Sequence, residues 1–245
     1  MRIDPATNAI TRRVKVGQHP FGLAYGARSL WVSDRNLDRL TRINPLMGKV
    51  QARIKIGISS YGLAFGAGSV WVTSESDRTL RRINPKRNRV SAKIRAGSQP
   101  NGVVYAFGAI WVADLGGGRV LKVDARRNKV VARYPVPHAD WITPSADALW
   151  ISTEGDVVVK LDPATGASLA QIPVGHNPLA SAWIEGELWV PNIDDGTISV
   201  IDPATNTVRT TFPAGSGTLA VAEAGGDAWV SASNDGEIWR IHSKP

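Results

Sequence analysis

Three of the four histidines and a set of carboxylates mark the places in this sequence where chemistry could occur. The densest group is in the middle of the chain, where His138 is followed closely by Asp140 and Trp141, with Glu154 16 residues after the histidine. An imidazole beside carboxylates can act as a general base, hold a divalent cation that polarises a substrate oxygen, or pass a proton. His138 and Glu154 are therefore the candidate catalytic residues if the chain is an enzyme.

Other side chains at comparable positions are candidates for contacts to a ligand. The set combines imidazole, aromatic, amide and carboxylate groups, which suit a concave binding site. The predicted ligand-binding residues are His19, Tyr61, Asn101, Asp140, Trp141 and His176. A histidine in a turn is also often only a hydrogen-bonding or exposed residue. We therefore expect no cofactor, with a divalent cation as the open alternative.

These side chains are positioned by a repeat of about 40 residues. An apolar–tryptophan–apolar triplet returns six times, at intervals of 40, 40, 39, 39 and 40 residues, centred on Trp31, Trp71, Trp111, Trp150, Trp189 and Trp229. Glycine, proline, aspartate and asparagine break each repeat into four short apolar or alternating runs. Periods of about 40 to 45 residues with strand-like content are typical of propeller blades. We expect four antiparallel strands per blade, A to D in chain order, with the tryptophan of strand B in the core.

The two ends of the chain predict how the sixth blade is completed. Only one strand, residues 237–241, follows the last tryptophan triplet, whereas residues 8–16 resemble a strand D without strands A to C of its own. We expect this N-terminal strand to pair with the C-terminal blade and close the ring, because closure removes exposed sheet edges. The predicted fold class is an all-β, six-bladed β-propeller forming a single domain over residues 1–245.

In such blades the D–A connections and B–C loops share one face, here called the loop face, which we predict to carry a ligand funnel. The histidines lie in its D–A connections, and Trp141 stands where the first three blades have glycine. Its B–C loops are rich in acidic residues, for most of which we expect a turn role. They are Asp34, Asp38, Glu75, Asp77, Asp114, Glu154, Asp156, Asp194, Asp195 and Asp235.

The opposite face, made of A–B and C–D turns, is called the turn face and carries a predicted basic patch. Its members are Lys86, Arg87, Arg89, Arg126, Arg127 and Lys129. Such a cluster can hold phosphates by counterion release, but no aromatic residue interleaves these turns, so nucleic acid is not expected. We expect a small molecule, a polysaccharide or an anionic protein surface as partner.

Charge is divided unevenly along the chain. The net charge is +8, yet residues 1–134 carry 25 basic and 7 acidic residues (+18), and residues 135–245 carry 4 and 14 (−10). This asymmetry fits either an anionic partner or contact between unlike sectors of two molecules, while a solvated rim is the simplest explanation. We expect a monomer or weak self-association.

Composition excludes several classes of function. The chain has no cysteine, which excludes disulfides, thiolate metal sites and a cysteine nucleophile. No apolar run is long enough for a signal peptide core or a membrane-spanning helix, so we expect a soluble chain without membrane contact.

The repeat resembles a known family. The segment from Val16 to Val32, with Ile201 to Asn206, is similar to the YVTN-type bacterial propeller repeats that also underlie streptogramin (virginiamycin B) lyase. The resemblance implies an exported bacterial protein. Likeness to the lyase would imply seven blades and a magnesium-assisted elimination by histidine and glutamate on the loop face, whereas this chain has six repeats.

Two functions follow as hypotheses. The first is a non-enzymatic binding or interaction propeller, which the regular blades and the absence of a clear nucleophile–base set favour. The alternative is a metal-assisted lyase or hydrolase, with His138 and Glu154 at the funnel.

Overall fold

The computed structural model describes residues 1–242, so Ser243 of the last, degraded repeat marker lies outside the described residues. Strands account for nearly all the regular structure, and the described chain has one short 3₁₀ turn, Leu115–Gly117. Contacts divide the chain into two compact units, Met1–Pro135 and Val136–Pro245. Within the described part, no helix has the length and apolar character needed to cross a bilayer. The predicted single domain stays a prediction.

The first unit contains a hairpin and three four-stranded antiparallel blades. The hairpin consists of β1 (Arg2–Ile3) and β2 (Ile10–Arg12). The blades consist of β3 (Pro20–Gly26), β4 (Ser29–Asp34), β5 (Arg39–Ile43) and β6 (Val50–Ile54); β7 (Ser60–Gly66), β8 (Ser69–Ser74), β9 (Thr79–Asn84) and β10 (Arg89–Arg95); and β11 (Pro100–Ala106), β12 (Ala109–Asp114), β13 (Arg119–Asp124) and β14 (Lys129–Pro135).

The second unit contains two four-stranded blades and a three-stranded sheet in the described residues. Its strands are β15 (Ala139–Pro144), β16 (Leu149–Thr153), β17 (Val157–Leu161) and β18 (Ser168–Pro173); β19 (Ala182–Ile184), β20 (Glu187–Asn192), β21 (Thr197–Asp202) and β22 (Thr207–Pro213); and β23 (Thr218–Ala224), β24 (Asp227–Ala232) and β25 (Glu237–His242). Within each sheet every strand pairs with its chain neighbour, which confirms the predicted all-β, six-bladed β-propeller fold.

The repeated tryptophans are core residues, as expected. Trp31, Trp71 and Trp111 are fully buried, and Trp150 and Trp189 nearly so, while Trp229 is half-buried. In the first unit each indole N–H donates to a main-chain oxygen at the end of strand A, at 3.0 Å, and the acceptors are Gly26, Gly66 and Ala106. The indole thus fills the interior and satisfies its own polar atom.

A cation on strand C joins neighbouring blades, and we call this arrangement the strand-C latch. The Arg42 guanidinium lies 5.0 Å from the Trp31 ring centre and donates to the Pro85 carbonyl (2.6 Å) and Asn88 Oδ1 (2.9 Å) of the next C–D turn. Arg82 makes the same contacts one blade later. It lies 5.2 Å from the Trp71 ring centre and donates to the Ala125 carbonyl (2.8 Å) and Asn128 Oδ1 (3.1 Å). Cation–π contact and charge-assisted hydrogen bonds therefore act on one side chain.

Glycine brings the inner strands of the first unit together. A Cβ at Gly22 would lie 2.4 Å from the Tyr61 carbonyl oxygen, so only glycine fits there. The Ser33 hydroxyl bridges the same two groups, accepting from the Gly22 amide (3.0 Å) and donating to the Tyr61 carbonyl (3.3 Å). Thr73 makes the equivalent bridge one blade later, at 2.8 and 2.6 Å. Tyr61 is therefore anchored through its main chain.

The second unit repeats the interior less regularly. Lys160 forms its latch, 4.9 Å from the Trp150 ring centre, with two bonds of 3.2 Å to the next C–D turn. The inner strand of the fifth blade is only three residues long, and a parallel bridge between Ala180 and Ala220 connects it to the sixth. Trp183 packs edge-on against Trp150 at 5.6 Å. Hydroxyl bridges join inner strands here too, since Ser152 donates to the Leu179 carbonyl at 2.9 Å.

The predicted pairing of residues 8–16 with the C-terminal blade was wrong for the described residues. β2 pairs with β1, and β25 pairs with β24. The reason is local, because Ile3 faces Ile10 in the same register as Ile43 faces Val50, so the N-terminal segment already contains the end of a strand C. Its turn is fixed by the Asp4 carboxylate, which accepts the Ala6 amide at 2.9 Å.

Candidate ligand-binding site

The loop face of the first unit is held by a buried carboxylate. Asp34, at the end of β4, is 2% exposed and accepts four main-chain amides. Two come from the D–A connection (Gln18, 2.9 Å; His19, 3.3 Å) and two from its own B–C loop (Asn36 and Leu37, both 3.0 Å). This carboxylate therefore has the structural role expected of the acidic loops. Asp34 thereby fixes the main chain of exposed His19. The His19 carbonyl in turn accepts the amide of Arg35, the residue after Asp34, at 2.9 Å.

Arg35 lies against two aromatic side chains of the same face. Its guanidinium carbon is 4.6 Å from the Tyr61 ring centre and 5.8 Å from that of Phe21. The two rings meet edge-to-face, with centres 5.3 Å apart. Phe21 and Tyr61 are half-buried and Arg35 is exposed, so the cation covers an aromatic pair at the surface.

Glu75 completes the group through the Tyr61 hydroxyl. Glu75 and Arg35 both lie close enough to act on that hydroxyl, which can donate to the carboxylate and accept from the guanidinium. Burial raises the pKa of Tyr61, the negative charge of Glu75 raises it further, and Arg35 acts in the opposite direction. Tyr61 is therefore held as a neutral phenol between a cation and an anion. Phe21, Arg35, Tyr61 and Glu75 are called the Arg35 cluster.

The Arg35 cluster can bind a planar anion. An arginine already stacked on aromatic rings keeps outward N–H donors for a carboxylate, and its plane is pre-ordered. Asn101, the predicted ligand residue of the third blade, is 8% exposed and its carbonyl belongs to the seam described above. Of the three ligand residues predicted in this unit, Tyr61 has the strongest geometric support.

In the second unit a main-chain hydrogen bond joins the two candidate catalytic residues. The Glu154 amide donates to the His138 carbonyl at 3.1 Å, and both side chains are exposed. His138 has a positive φ of 58°, which places it in a tight turn. Asp140 is buried, at 4% exposure, and lies at the bulge of β15. Trp141 is half-buried and is opposite Ser152 in the ladder between β15 and β16.

His176 lies in a carboxylate cluster of the second unit. Its Nδ1 is 2.9 Å from Asp195 Oδ1 and its Nε2 is 3.8 Å from Asp156 Oδ2. The Asp195 carboxylate also accepts the His176 amide at 2.7 Å. The hydrogen bond and charge of Asp195 raise the pKa of His176, helped by Asp156, while the Asp195 pKa is lowered. Among residues 1–242 no group of three or more His, Cys, Asp or Glu side chains is arranged to hold a metal.

Comparisons with known proteins support the fold alone. No family model and no curated protein matches the chain. A solved structure of Kuenenia stuttgartiensis hydrazine synthase has a TM-score of 0.67 at 12% identity, covering 96% of this chain and 98% of that one. The computationally designed Ika8 protein has a TM-score of 0.71 at 13% identity, covering 91% and 70%. Both likenesses show a propeller fold.

The predicted basic residues are all exposed on the turn face or beside it. The second and third C–D turns have one shape, because Asn84 Oδ1 accepts the Lys86 and Arg87 amides and Asp124 Oδ1 accepts those of Arg126 and Arg127, at 2.8–3.0 Å. These turns therefore present their long basic side chains in equivalent positions.

Two functional features escaped the sequence analysis. Arg35 was not singled out, although it directly follows the acidic residue that ends strand B and lies one blade before Tyr61. The strand-C cations were also missed, although Arg42, Arg82, Lys122, Lys160 and Arg240 each directly precede the apolar residue of the Ile-Asp-Pro-type marker. That fixed position was the available signal.

Proposed function

We propose that the protein is a non-enzymatic binding propeller whose first unit takes a small organic anion at the Arg35 cluster. The observation that carries this proposal is the Arg35 guanidinium, exposed and stacked within 4.6 Å of the Tyr61 ring centre. A carboxylate would bind its outward donors, and the aromatic pair would contact an adjoining apolar or ring portion of the ligand. The propeller fold suits this role, since it serves as a scaffold for many unrelated sites.

We also propose a family for the chain, and no catalytic step. We take the chain as a YVTN-type propeller of an exported bacterial protein, on the motifs quoted above. His138 and Glu154 are given no catalytic role here, because both side chains are exposed on a turn and the hydrogen bond that joins the two residues is between main-chain atoms. The other loop-face candidates, including Trp141 and His176, are proposed as further ligand contacts of the second unit.

Calorimetric titration with benzoate tests the proposal, with glucuronate as a second carboxylate and benzamide as the neutral match. We expect both carboxylates to bind and benzamide to bind at least about tenfold more weakly, since it lacks the charge. Arg35→Gln should remove carboxylate binding, and Arg35→Lys should restore little of it, because lysine lacks the planar fork.

The matched control is Arg53→Gln, which removes an exposed arginine on the outer strand of the first blade. It lowers the net charge equally and leaves the Arg35 cluster intact. Equal weakening by Arg35→Gln and Arg53→Gln would mean that only net charge matters. That result, or no carboxylate binding to the unaltered protein, would overturn the proposal.

A further inference from the structure

A second surface of the first unit, on the turn face, forms an open depression of about 570 Å³ between the second and third blades. Its walls are Ala67 and Gly108 of the A–B turns, the Tyr105 side chain, and residues 124–126 of the third C–D turn. Arg82 also lines the depression and is already engaged in the strand-C latch. An aromatic ring and the exposed base of Arg126 thus border one concave site.

The structure supplies here the aromatic residues that the basic turns lack in sequence. Tyr105 lies near the end of β11 and is 41% exposed, and nearby Phe107 is equally exposed. The Tyr105 ring lies on Gly66 of the previous blade, where an added Cβ would approach it to 2.1 Å. One ring face is therefore fixed against main chain, and the rest of the ring is available for stacking.

The same arrangement recurs one repeat earlier, at the junction of the first and second blades. Phe65 lies on Gly26, where an added Cβ would meet the ring at 2.0 Å. Arg42 forms the corresponding latch, and exposed Lys86 stands 40 residues before Arg126. Phe65 is half-buried and packs against the core, so the earlier repeat has the same residue types with a less exposed ring than Tyr105.

The polar lining includes acceptors as well as cations. The Asp124 carboxylate borders the depression, and the hydrogen bonds of the Arg126 and Arg127 amides lower its pKa, so it stays ionised. Asn84 occupies this position in the earlier repeat. A ligand that fits both sites must supply anionic groups for the cations and hydrogen-bond donors for these oxygens.

We propose that this surface binds a linear acidic polysaccharide, with one uronic acid unit in the Tyr105–Arg126 depression and another unit of the same polymer at Phe65 and Lys86. Pyranose rings supply a face for the aromatic residues, carboxylates pair with the bases, and hydroxyls donate to Asp124 and Asn84. A phosphodiester backbone has no donors for an ionised carboxylate, and an acidic polypeptide needs no row of stacked rings. A polymer engages two weak sites at once, which raises its overall affinity.

The fourth and fifth blades do not repeat these sites. Their residues equivalent to Lys86 and Arg126 are Ala164 and Ala204, each followed by threonine. Polymer binding should therefore depend on the second and third blades far more than on these two.

The test is fluorescence anisotropy with labelled polygalacturonate on the full chain, beside neutral dextran, oligo-dT and polyglutamate. We expect polygalacturonate to bind, dextran not to bind, and the other two polyanions to bind at least about tenfold more weakly. Arg126→Ala and Tyr105→Ala should each lower the affinity for polygalacturonate about five- to tenfold. The double variant Lys86→Ala/Arg126→Ala should lower it more strongly.

Arg133→Ala is the charge-matched control, because Arg133 is exposed on the outer strand of the same blade. It should change the affinity less than twofold. Tyr105→Leu, which retains bulk over Gly66, separates lost stacking from misfolding and should weaken binding like Tyr105→Ala.

Equal losses from Arg133→Ala and Arg126→Ala would reduce the surface to diffuse charge and overturn the proposal. Tight binding of oligo-dT or polyglutamate would assign it to nucleic acid or an acidic protein instead. Arg35→Gln leaves this surface untouched, so a failure of the small-anion site and a failure of this one are measured separately.

Discussion

The two units share an interior design and differ in their surfaces. Both bury strand-B tryptophans and stack a strand-C cation on them, as Arg82 does on Trp71 and Lys160 on Trp150. Their charges are opposite, +18 for residues 1–134 and −10 for residues 135–245. Blade packing therefore fixes only a few positions per repeat, which leaves turns and outer strands free to acquire separate functions.

The units also differ in how their inner strands meet. In the first unit a glycine and a hydroxyl form a tight seam between blades, as at Gly22 and Ser33. In the second unit Trp141 replaces that glycine, and β19 has three residues where β3, β7 and β11 have seven. A regular seam places Phe21 and Tyr61 in contact, so regularity in the first unit directly builds the Arg35 cluster.

The largest expected effect is on the core. Trp71→Ala should lower the free energy of unfolding by about 3–5 kcal/mol, because it empties a fully buried site and leaves the Gly66 carbonyl without its donor. Trp229→Ala, at a half-buried site in the second unit, should cost clearly less. Urea unfolding measures both, and equal losses would mean that the contribution of an indole does not follow its burial.

The seam gives the next largest effect. Gly62→Ala would place a Cβ 2.5 Å from the Asn101 carbonyl oxygen and should destabilise by about 1–3 kcal/mol. Gly155→Ala in the second unit, whose nearest neighbour would be 3.5 Å away, serves as the control and should be nearly neutral. A neutral Gly62→Ala in urea unfolding would mean that the adjacent blades separate easily.

The strand-C latch should contribute less. Arg82→Ala removes a cation–π contact and two hydrogen bonds to the next blade, and should cost about 1–2 kcal/mol. Lys160→Ala should cost less, since its two bonds are 3.2 Å long and come from one ammonium. Thermal unfolding compares the two variants. A larger loss of stability for Lys160→Ala would mean that the latch contributes more in the second unit than in the first.

The smallest effect concerns pH and belongs to the second unit. The folded-state pKa of His176 lies above its ordinary value, mainly through Asp195, so its stabilising contribution is complete below pH 6.5 and is lost as pH rises through the folded-state pKa. The gap in melting temperature between the unaltered protein and His176→Gln should be widest at pH 5.5 and narrow by pH 8. Asp195→Asn should flatten this dependence, and a gap independent of pH would refute the ion pair.

The repeat made most of the fold predictable. Tryptophan triplets about 40 residues apart, with turn residues between short apolar runs, predicted six blades of four strands, and β3 to β6 form such a blade. The outer strand of this blade alternates, with Ile54 and Ile56 buried and Arg53 and Lys55 exposed. The N-terminal pairing was wrong because a two-residue strand with a local partner, β1, is too short to recognise.

The candidate sites were predictable only in part. Tyr61 and the basic turns were found from their types and positions, and the expected turn role of the acidic loops holds for Asp34 and Asp114. Arg35 and Tyr105 were not found, since each becomes informative only beside residues 26 and 21 positions away, Tyr61 and Arg126. The convergence of the three histidines stays a prediction.

The sequence by itself determined the blade repeat, the buried tryptophans and the division of charge, because these depend on local periodicity and composition. The tertiary structure was needed to show which side chains from different repeats share a surface. Stacking of Arg35 on Tyr61, and of the Tyr105 ring on Gly66, requires the contact of neighbouring blades. That contact is set by glycine seams and strand-C latches, whose bonds and ring contacts span only a few ångströms, a scale that a pattern of residue types does not encode.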